Sequence, residues 1–232
     1  MSLPGYVPGM PGVKTAYAAT HRIVIRQDLP CDFALGKVID GSKSRDSSNT
    51  GDLDVLRPGT LMGKITSSGK YAPSILGVLQ GAKSATDTAV TVTAAQATEI
   101  VRRVGSTGTL RFVGPPSAAG TVATFTETYS AVDTATGIIT CSGLDADLIA
   151  GSFVCANDGT YLPLTFISDG YGIKVTDVFS STSIDVPFAQ MPVLATVITA
   201  NLLPVWPSDT SLQAWIFEKL NLHGKFIPDY GF

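Results

Sequence analysis

The stretch 56–79, which reads LRPGTLMGKITSSGKYAPSILGVL, constrains the fold of this chain more than any other. Apolar and polar residues alternate over 60–66, which is the pattern of a half-buried strand. Ser67-Ser68-Gly69 reads as a turn, because glycine adopts a positive φ without steric cost. The segment 71–79 predicts a returning strand that breaks at Pro73. We therefore predict a kinked β-hairpin of the kind found at the corner of a compact β-barrel.

Two later segments have the pattern of helices. Capping-box spacing in Thr93-Ala94-Ala95-Gln96 predicts a helix that continues over 97–104. A second helix is expected after Ser208, which we predict to be its N-cap. Its apolar stripe consists of Leu212, Trp215, Ile216 and Leu220. The segment 144–150 reads as a short helical turn.

Short strands rich in β-branched residues account for most of the remaining pattern. They are predicted at 21–26, 33–39, 109–113, 121–132, 137–141, 152–155, 161–167, 172–175, 183–186, 193–200 and 225–227. The fold class is therefore mainly β, of the α+β type, with one C-terminal helix on a small β-barrel.

The pattern changes near residue 90, which suggests an inserted unit. The segment 86–158 combines a capped helix with several strands and has turn signals of its own. We divide the chain into an arm (1–20), a host β domain (21–85 and 159–232) and an inserted α+β domain (86–158), with 172 as an alternative end of the insert.

The arm reads as a segment that becomes ordered against another surface. Its prolines and glycines prevent helix formation and ladder pairing. It is nevertheless more apolar than a disordered linker, although an unstructured terminus is the alternative. The side chains predicted to bind a partner are Pro4, Tyr6, Val7, Pro8, Met10 and Val13.

Composition narrows the classes of partner. Hydrophobic residues make up 44% of the chain and charged residues 15%, which suggests a surface partly covered by partners or, equally, a β-rich domain with a Thr/Ser/Gly surface. The net charge of −3 and the lack of a Lys/Arg cluster argue against direct nucleic-acid binding. No apolar run predicts a transmembrane helix. The first residues lack the pattern of a signal peptide, so we expect use without secretion.

The residues that could carry chemistry are few. Cys31, Cys141 and Cys155 are predicted to be buried free thiols, although the last two could face each other on neighbouring strands. His21 and His223 are too few for a histidine-rich metal site. No phosphate-binding loop or nucleophile elbow occurs. We expect neither enzymatic activity nor a cofactor.

Two segments resemble the lambda-type phage head decoration proteins. The first, PGTLMGKIT-SSGKYAP-ILGVL, resembles the family's opening strand, its short Ser/Gly/Lys turn and the apolar strand that follows. The second is Leu202-Leu203-Pro204-Val205-Trp206-Pro207 with Ser208-Asp209, which resembles the family's late segment and the helix after it. The family's core is shorter than this chain, so the residues between the two segments must hold an insertion.

The resemblance implies a β-tulip-like domain that binds the major capsid protein as a homotrimer at local three-fold positions. Such a protein is made in the host cytoplasm and stabilises the outer surface of the mature head against internal DNA pressure. The arm would reach onto neighbouring capsid subunits. We assign Trp206 and Trp215 to trimer contacts or to support of the core.

Two other functions stay open from the sequence. The first is another virion structural role, in a tail tube, head fibre or baseplate. The second is a surface carbohydrate-binding module, which would use exposed aromatic side chains on the insert. The aromatic residues there have spacings that suit a core instead; they are Phe112, Phe125, Tyr129 and Phe153.

Overall fold

The computed structural model describes residues 24–26, 29–177, 179–199, 202 and 206–229. Within these ranges the chain forms fourteen strands, two α-helices and one 3₁₀ helix at Gly41–Lys43. The strands make two six-stranded sheets and one two-stranded sheet. The predicted mainly β class is therefore confirmed.

The first sheet contains the longest strand of the described structure, β13 (Val186–Ile198), next to one edge. Its members are β1 (Asp32–Ile39), β3 (Leu61–Lys64), β4 (Tyr71–Pro73), β11 (Thr165–Phe166), β13 and β14 (Lys225–Asp229). Their order is β11-β3-β4-β1-β13-β14. β13 pairs antiparallel with β1 and parallel with β14. The small separate sheet pairs β2 (Val55–Leu56) with β12 (Ile173–Lys174).

The first sheet curls until its two edges approach each other. The Phe166 ring of β11 lies 5.6 Å from the Phe226 ring of β14, measured between centroids. The Thr165 hydroxyl donates to the Pro192 carbonyl of β13 at 2.8 Å. Side chains from opposite ends of the sheet thus share one apolar interior, and the sheet forms a half-barrel.

The predicted kinked hairpin is confirmed. β3 and β4 pair antiparallel, and Gly69 in the connecting turn has a φ of 74°. β4 ends at Pro73, and the chain then crosses to the second sheet as β5 (Gly77–Val78). The kink thus transfers the hairpin's second strand from one sheet to the other.

The second sheet also curls around its own interior. With β5 it contains β6 (Ala89–Thr91), β7 (Gly108–Gly114), β8 (Ala123–Asp133), β9 (Ile138–Cys141) and β10 (Phe153–Ala156), in the order β5-β10-β7-β8-β9-β6. The Gln80 amide donates to the Thr91 carbonyl at 2.9 Å, which brings the two ends of the sheet together. Leu110, Phe112 and Ile139 fill the interior and are fully buried.

Both predicted helices exist, but the cap of the second was assigned to the wrong residue. α1 (Ala94–Val104) begins at Thr93, and both hydrogen bonds of the predicted capping box with Gln96 are present. α2 (Thr210–Leu220) buries the whole predicted apolar stripe. Its N-cap is Asp209 and not Ser208, because the Asp209 carboxylate accepts from two backbone amides of the first turn.

Three predictions of local structure are wrong. The segment 144–150 forms no helix; Leu148 instead exchanges two backbone hydrogen bonds with Lys83, at 2.7 and 2.8 Å, as an isolated bridge. The strand predicted over 161–167 is reduced to β11. The strand predicted at 183–186 is a bridge from Ser183 to Thr176, after which β13 begins. In all three segments the structure depends on pairing with residues that are distant in the sequence. A local sequence pattern does not indicate such pairing.

The cysteine predictions are correct in part. All three thiols are free, and Cys141 and Cys155 are buried, but Cys31 is exposed. Cys141 lies on β9 and Cys155 on β10, and β7 and β8 lie between these two strands. The suggested facing pair on neighbouring strands is therefore wrong.

The largest apolar cluster joins the two sheets. β7 and β10 turn Leu110, Phe112 and Val154 toward the interior of the second sheet. Their alternate side chains, Val113 and Phe153, pack with α2 and the first sheet. The predicted insert 86–158 thus shares a core with the predicted host domain, while the division into domains itself stays a prediction.

Candidate functional site

The predicted arm residues Pro4, Tyr6, Val7, Pro8, Met10 and Val13 lie outside the described residues. The arm root, 24–26, is described and is held against β13. Ile25 bridges Val197 in antiparallel fashion. The Ile198 amide donates to the Val24 carbonyl at 2.8 Å, and the Arg26 amide donates to the Thr196 carbonyl at 2.9 Å.

The arm root also lies beside the end of β14. Arg26 and Asp229 form an ion pair at 3.0 Å. Asp229 is the last residue of β14 and lies opposite Ile198 in the ladder. The segments 1–23 and 230–232 therefore join the described structure at the same end of the first sheet.

The two tryptophans lie in and beside the shared core. Trp215 is 7% exposed, and its ring centroid lies 6.4 Å from that of Phe153. Trp206 is partly buried and meets the edge of Phe217 at 5.6 Å between centroids. Both rings pack within the protein, and their assignment to trimer contacts or to support of the core stays a prediction.

A groove of about 600 Å³ lies between α2 and the second sheet. Its apolar lining comes from Val122, Leu162 and Trp215. Arg111 of β7 lies over the Tyr161 ring, 4.1 Å from its centroid, and donates to the side-chain oxygen Oδ1 of Asn157. Glu218 and Lys219 of α2 supply the other charges. The groove can therefore hold an apolar side chain beside charged groups.

One wall of this groove is fixed by the residue that caps α2. The Ala119 amide donates to Oδ2 of Asp209 at 2.9 Å, while Oδ1 of the same carboxylate accepts from Ser211 and Leu212. Ala119 has a φ of 54°, an uncommon conformation for a residue with a Cβ atom. Sequence reasoning missed this groove, because it assembles from four separate segments of the chain and no local motif marks it.

The two buried thiols are not ionised at neutral pH. Burial raises the pKa of the Cys155 thiol to about 12 and that of Cys141 to about 11. Asp147 accepts from the Ala85 amide at 2.6 Å and so has a local structural role. Within the described ranges, no group of three or more His, Cys, Asp and Glu residues is arranged to hold a metal ion.

The aromatic residues of the insert form no exposed platform. Phe112, Tyr129 and Phe153 are at most 1% exposed. Phe125 is partly buried and stacks on Phe112 with 5.8 Å between ring centroids. The core-like spacing predicted from the sequence is therefore confirmed, and the feature that motivated a carbohydrate-binding module is missing from these residues.

Among the described residues, neither helix is long and apolar enough to span a membrane. Comparisons with protein-family models, with curated proteins and with solved structures found no match to this chain.

Proposed function

We propose that this chain is a phage head decoration protein that binds the outer surface of the mature capsid and stabilises it. The observation that carries the proposal is the fixed arm root. Backbone hydrogen bonds at Val24 and Arg26 hold a proline-rich, apolar arm at one end of a β-rich body. An arm with a fixed origin can reach a neighbouring subunit without unfolding the body.

The low charge of the chain also supports this proposal. Charged residues make up 15% of the sequence, and β-rich bodies with few charges suit surfaces covered in an assembly. A protein that binds the expanded shell and not its alternatives stabilises that shell by mass action. Several contacts per oligomer raise the avidity without any single strong contact.

The first test is deletion of residues 1–20. We expect the truncated protein to fold like the full chain, because the arm root at 24–26 keeps its pairing with β13. We also expect it to bind heads much more weakly, because the apolar arm side chains are gone. Binding is measured by co-sedimentation with heads that lack the protein. Equal saturation of heads by the two proteins would overturn the proposed role of the arm.

The second test locates the protein on particles. Electron microscopy of particles with and without the protein should show extra density on the head, at local three-fold positions. Density confined to the tail would instead support another virion structural role.

A further inference from the structure

The turn formed by Asp177 and residues 179–182, which we call the tip, presents one aromatic side chain to solvent. Phe179 is 86% exposed, whereas the next most exposed large apolar residue, Tyr171, is 58% exposed. Phenylalanine is among the residue types most often buried. An aromatic side chain this exposed on a folded turn is typical of an anchor for a partner.

The tip is held in shape by its own hydrogen bonds. The Asp177 amide donates to the Thr182 carbonyl at 2.7 Å, and the Ser181 amide donates to the Asp177 carbonyl at 3.0 Å. The Asp177 carboxylate accepts from the amides of Phe179 and Ser180, both at 2.8 Å. Thr176 and Ser183 bridge the base. Because the turn is ordered in advance, Phe179 loses little entropy when a partner covers it.

The groove beside α2 has the complementary chemistry. Its lining combines Val122, Leu162 and Trp215 with three charged side chains. Glu218 and Lys219 pair with each other, so Arg111 supplies the net positive charge of the groove. Asp177 is the one charged residue of the tip. The backbone amides of Ser180 and Phe179 lower the pKa of Asp177, so this carboxylate is ionised at neutral pH. A volume of about 600 Å³ is within the range of pockets that hold small molecules.

The tip and the groove belong to different parts of the same molecule. No residue of the tip lines the groove. The exposure of Phe179 shows that it does not enter the groove of its own chain. Any contact between the tip and the groove must therefore join two copies of the chain.

We propose that Phe179 of one copy inserts into the groove beside Trp215 of another copy, with Asp177 placed near Arg111. The contact is head-to-tail, because each copy offers a tip to one neighbour and a groove to another. Head-to-tail contacts of this kind produce a ring when the rotation closes. This inference rests on the proposed function and names the contact through which the protein would self-associate.

The test uses the purified full-length protein without particles, so that its result does not depend on whether the protein binds heads. Sedimentation velocity over a concentration series should show wild-type species larger than the 24.2 kDa chain. Phe179→Ala should weaken self-association by about 30-fold, the effect of losing a buried anchor. Leu222→Ala is the matched control, because Leu222 is 56% exposed and lies outside both features. It should associate like the wild type.

The second variant blocks the groove. Ala214 is an exposed α2 residue in the lining. Glutamate at this position keeps the helix propensity, fills the groove and repels Asp177. Ala214→Glu should therefore also be monomeric. An equimolar mixture of the Phe179→Ala and Ala214→Glu proteins should form a species of two chains, because one intact tip can still meet one intact groove.

Three results would overturn the proposal: a monomeric wild type, self-association of Phe179→Ala equal to that of the wild type, or a mixture that stays monomeric. If Phe179→Ala lowers head binding while leaving self-association unchanged, the tip contacts the particle instead, and the proposed contact is also wrong.

Discussion

At Arg103, a fully buried guanidinium joins three segments of the chain. It donates to the Pro73 carbonyl and to the Thr160 hydroxyl, both at 2.6 Å, and pairs with Asp158 at 3.1 Å. These partners lie at the kink of the hairpin and in the turn after β10. A buried charge is tolerated when it is paired and hydrogen-bonded. Both terminal nitrogens of Arg103 have such partners, whereas its buried Nε has none in the described structure.

We expect Arg103→Ala to lower the free energy of unfolding by about 3–5 kcal/mol, because it leaves Asp158 without its buried partner. Denaturant unfolding measures the change. Arg45→Ala is the control, because Arg45 pairs with Asp54 at 2.8 Å but its side chain is 35% exposed. The loss there should stay below about 1 kcal/mol. Equal losses in the two variants would show that the buried network does not hold these segments together.

The same network predicts a pH dependence. Burial acts to raise the pKa of Asp158, but the Arg103 guanidinium and hydrogen bonds from Thr160 outweigh it, so the pKa lies below the ordinary value of 3.8. The stabilisation is therefore complete above that value and is lost as the pH falls through the folded-state pKa. The difference in unfolding free energy between wild type and Asp158→Asn should be constant near neutral pH and shrink below pH 3.8. A difference that grows in acid would contradict the assigned direction.

Among the elements, α2 depends on one carboxylate with two tasks. Asp209 caps the helix through Ser211 and Leu212 and also holds the Ala119 amide in the groove wall. Removing it therefore affects the helix and a loop of the second sheet together.

We expect Asp209→Ala to lower the free energy of unfolding by about 1–2 kcal/mol, the upper part of the range for an N-cap. Ser208→Ala tests the cap predicted from the sequence and should change it by less than about 0.5 kcal/mol. Thermal unfolding of both variants decides between the two residues. A larger effect at Ser208 would contradict the observed cap.

The local elements were predictable where the pattern repeats over several residues. α1 carries a capping box, and α2 carries an apolar stripe of four residues. The hairpin was marked by its turn. The segment 144–150 was not predictable, because two leucines four residues apart fit both a helical turn and a bridge. The partner that decides, Lys83, is distant in sequence.

At the scale of the whole molecule, the shared core determines how the two sheets respond to a destabilising substitution. Phe153 belongs to the second sheet, yet it packs against Trp215 of α2. The strands that carry this packing, β7 and β10, are buried by apolar groups on both faces. The two sheets should therefore unfold together.

We expect Phe153→Ala to lower the free energy of unfolding by about 3–5 kcal/mol. Tryptophan fluorescence and far-UV circular dichroism should still report one common transition. Ile138→Ala is the control, because Ile138 is a strand residue of the same sheet with 40% exposure. Separate transitions for the two probes in the variant would show that the sheets are independent.

Excision of 86–158 with a short Gly/Ser linker tests the division into domains. The sequence alone predicts a host domain that still binds capsids after this excision. The shared core leads us to expect a poorly soluble product, since Val113 and Phe153 would no longer cover the apolar face beside Trp215. Solubility and circular dichroism measure the outcome, and a soluble, folded product would support the original division.

The arrangement of the sheets and the groove could not be predicted. β1 pairs with β13 across most of the chain, and β13 pairs with β14 in parallel. Pairing over such separations leaves no local signature, since each strand shows only its own alternation. The groove has the same origin, because β7, α2 and the segment near Tyr161 meet only after both sheets have formed.

The pairing of β1 with β13 also determines the order in which the two sheets can form during synthesis. A ribosome delivers β1 early and β13 only after the entire second sheet, an interval on the order of ten seconds at ordinary synthesis rates. During that interval the second sheet can close, while β1 lacks β13, its neighbour on one side. The nascent chain therefore presents unpaired strand edges to its surroundings until its last fifth emerges. The amount of folded protein obtained in a cell should therefore depend on any factor that covers these strand edges until β13 has been synthesised.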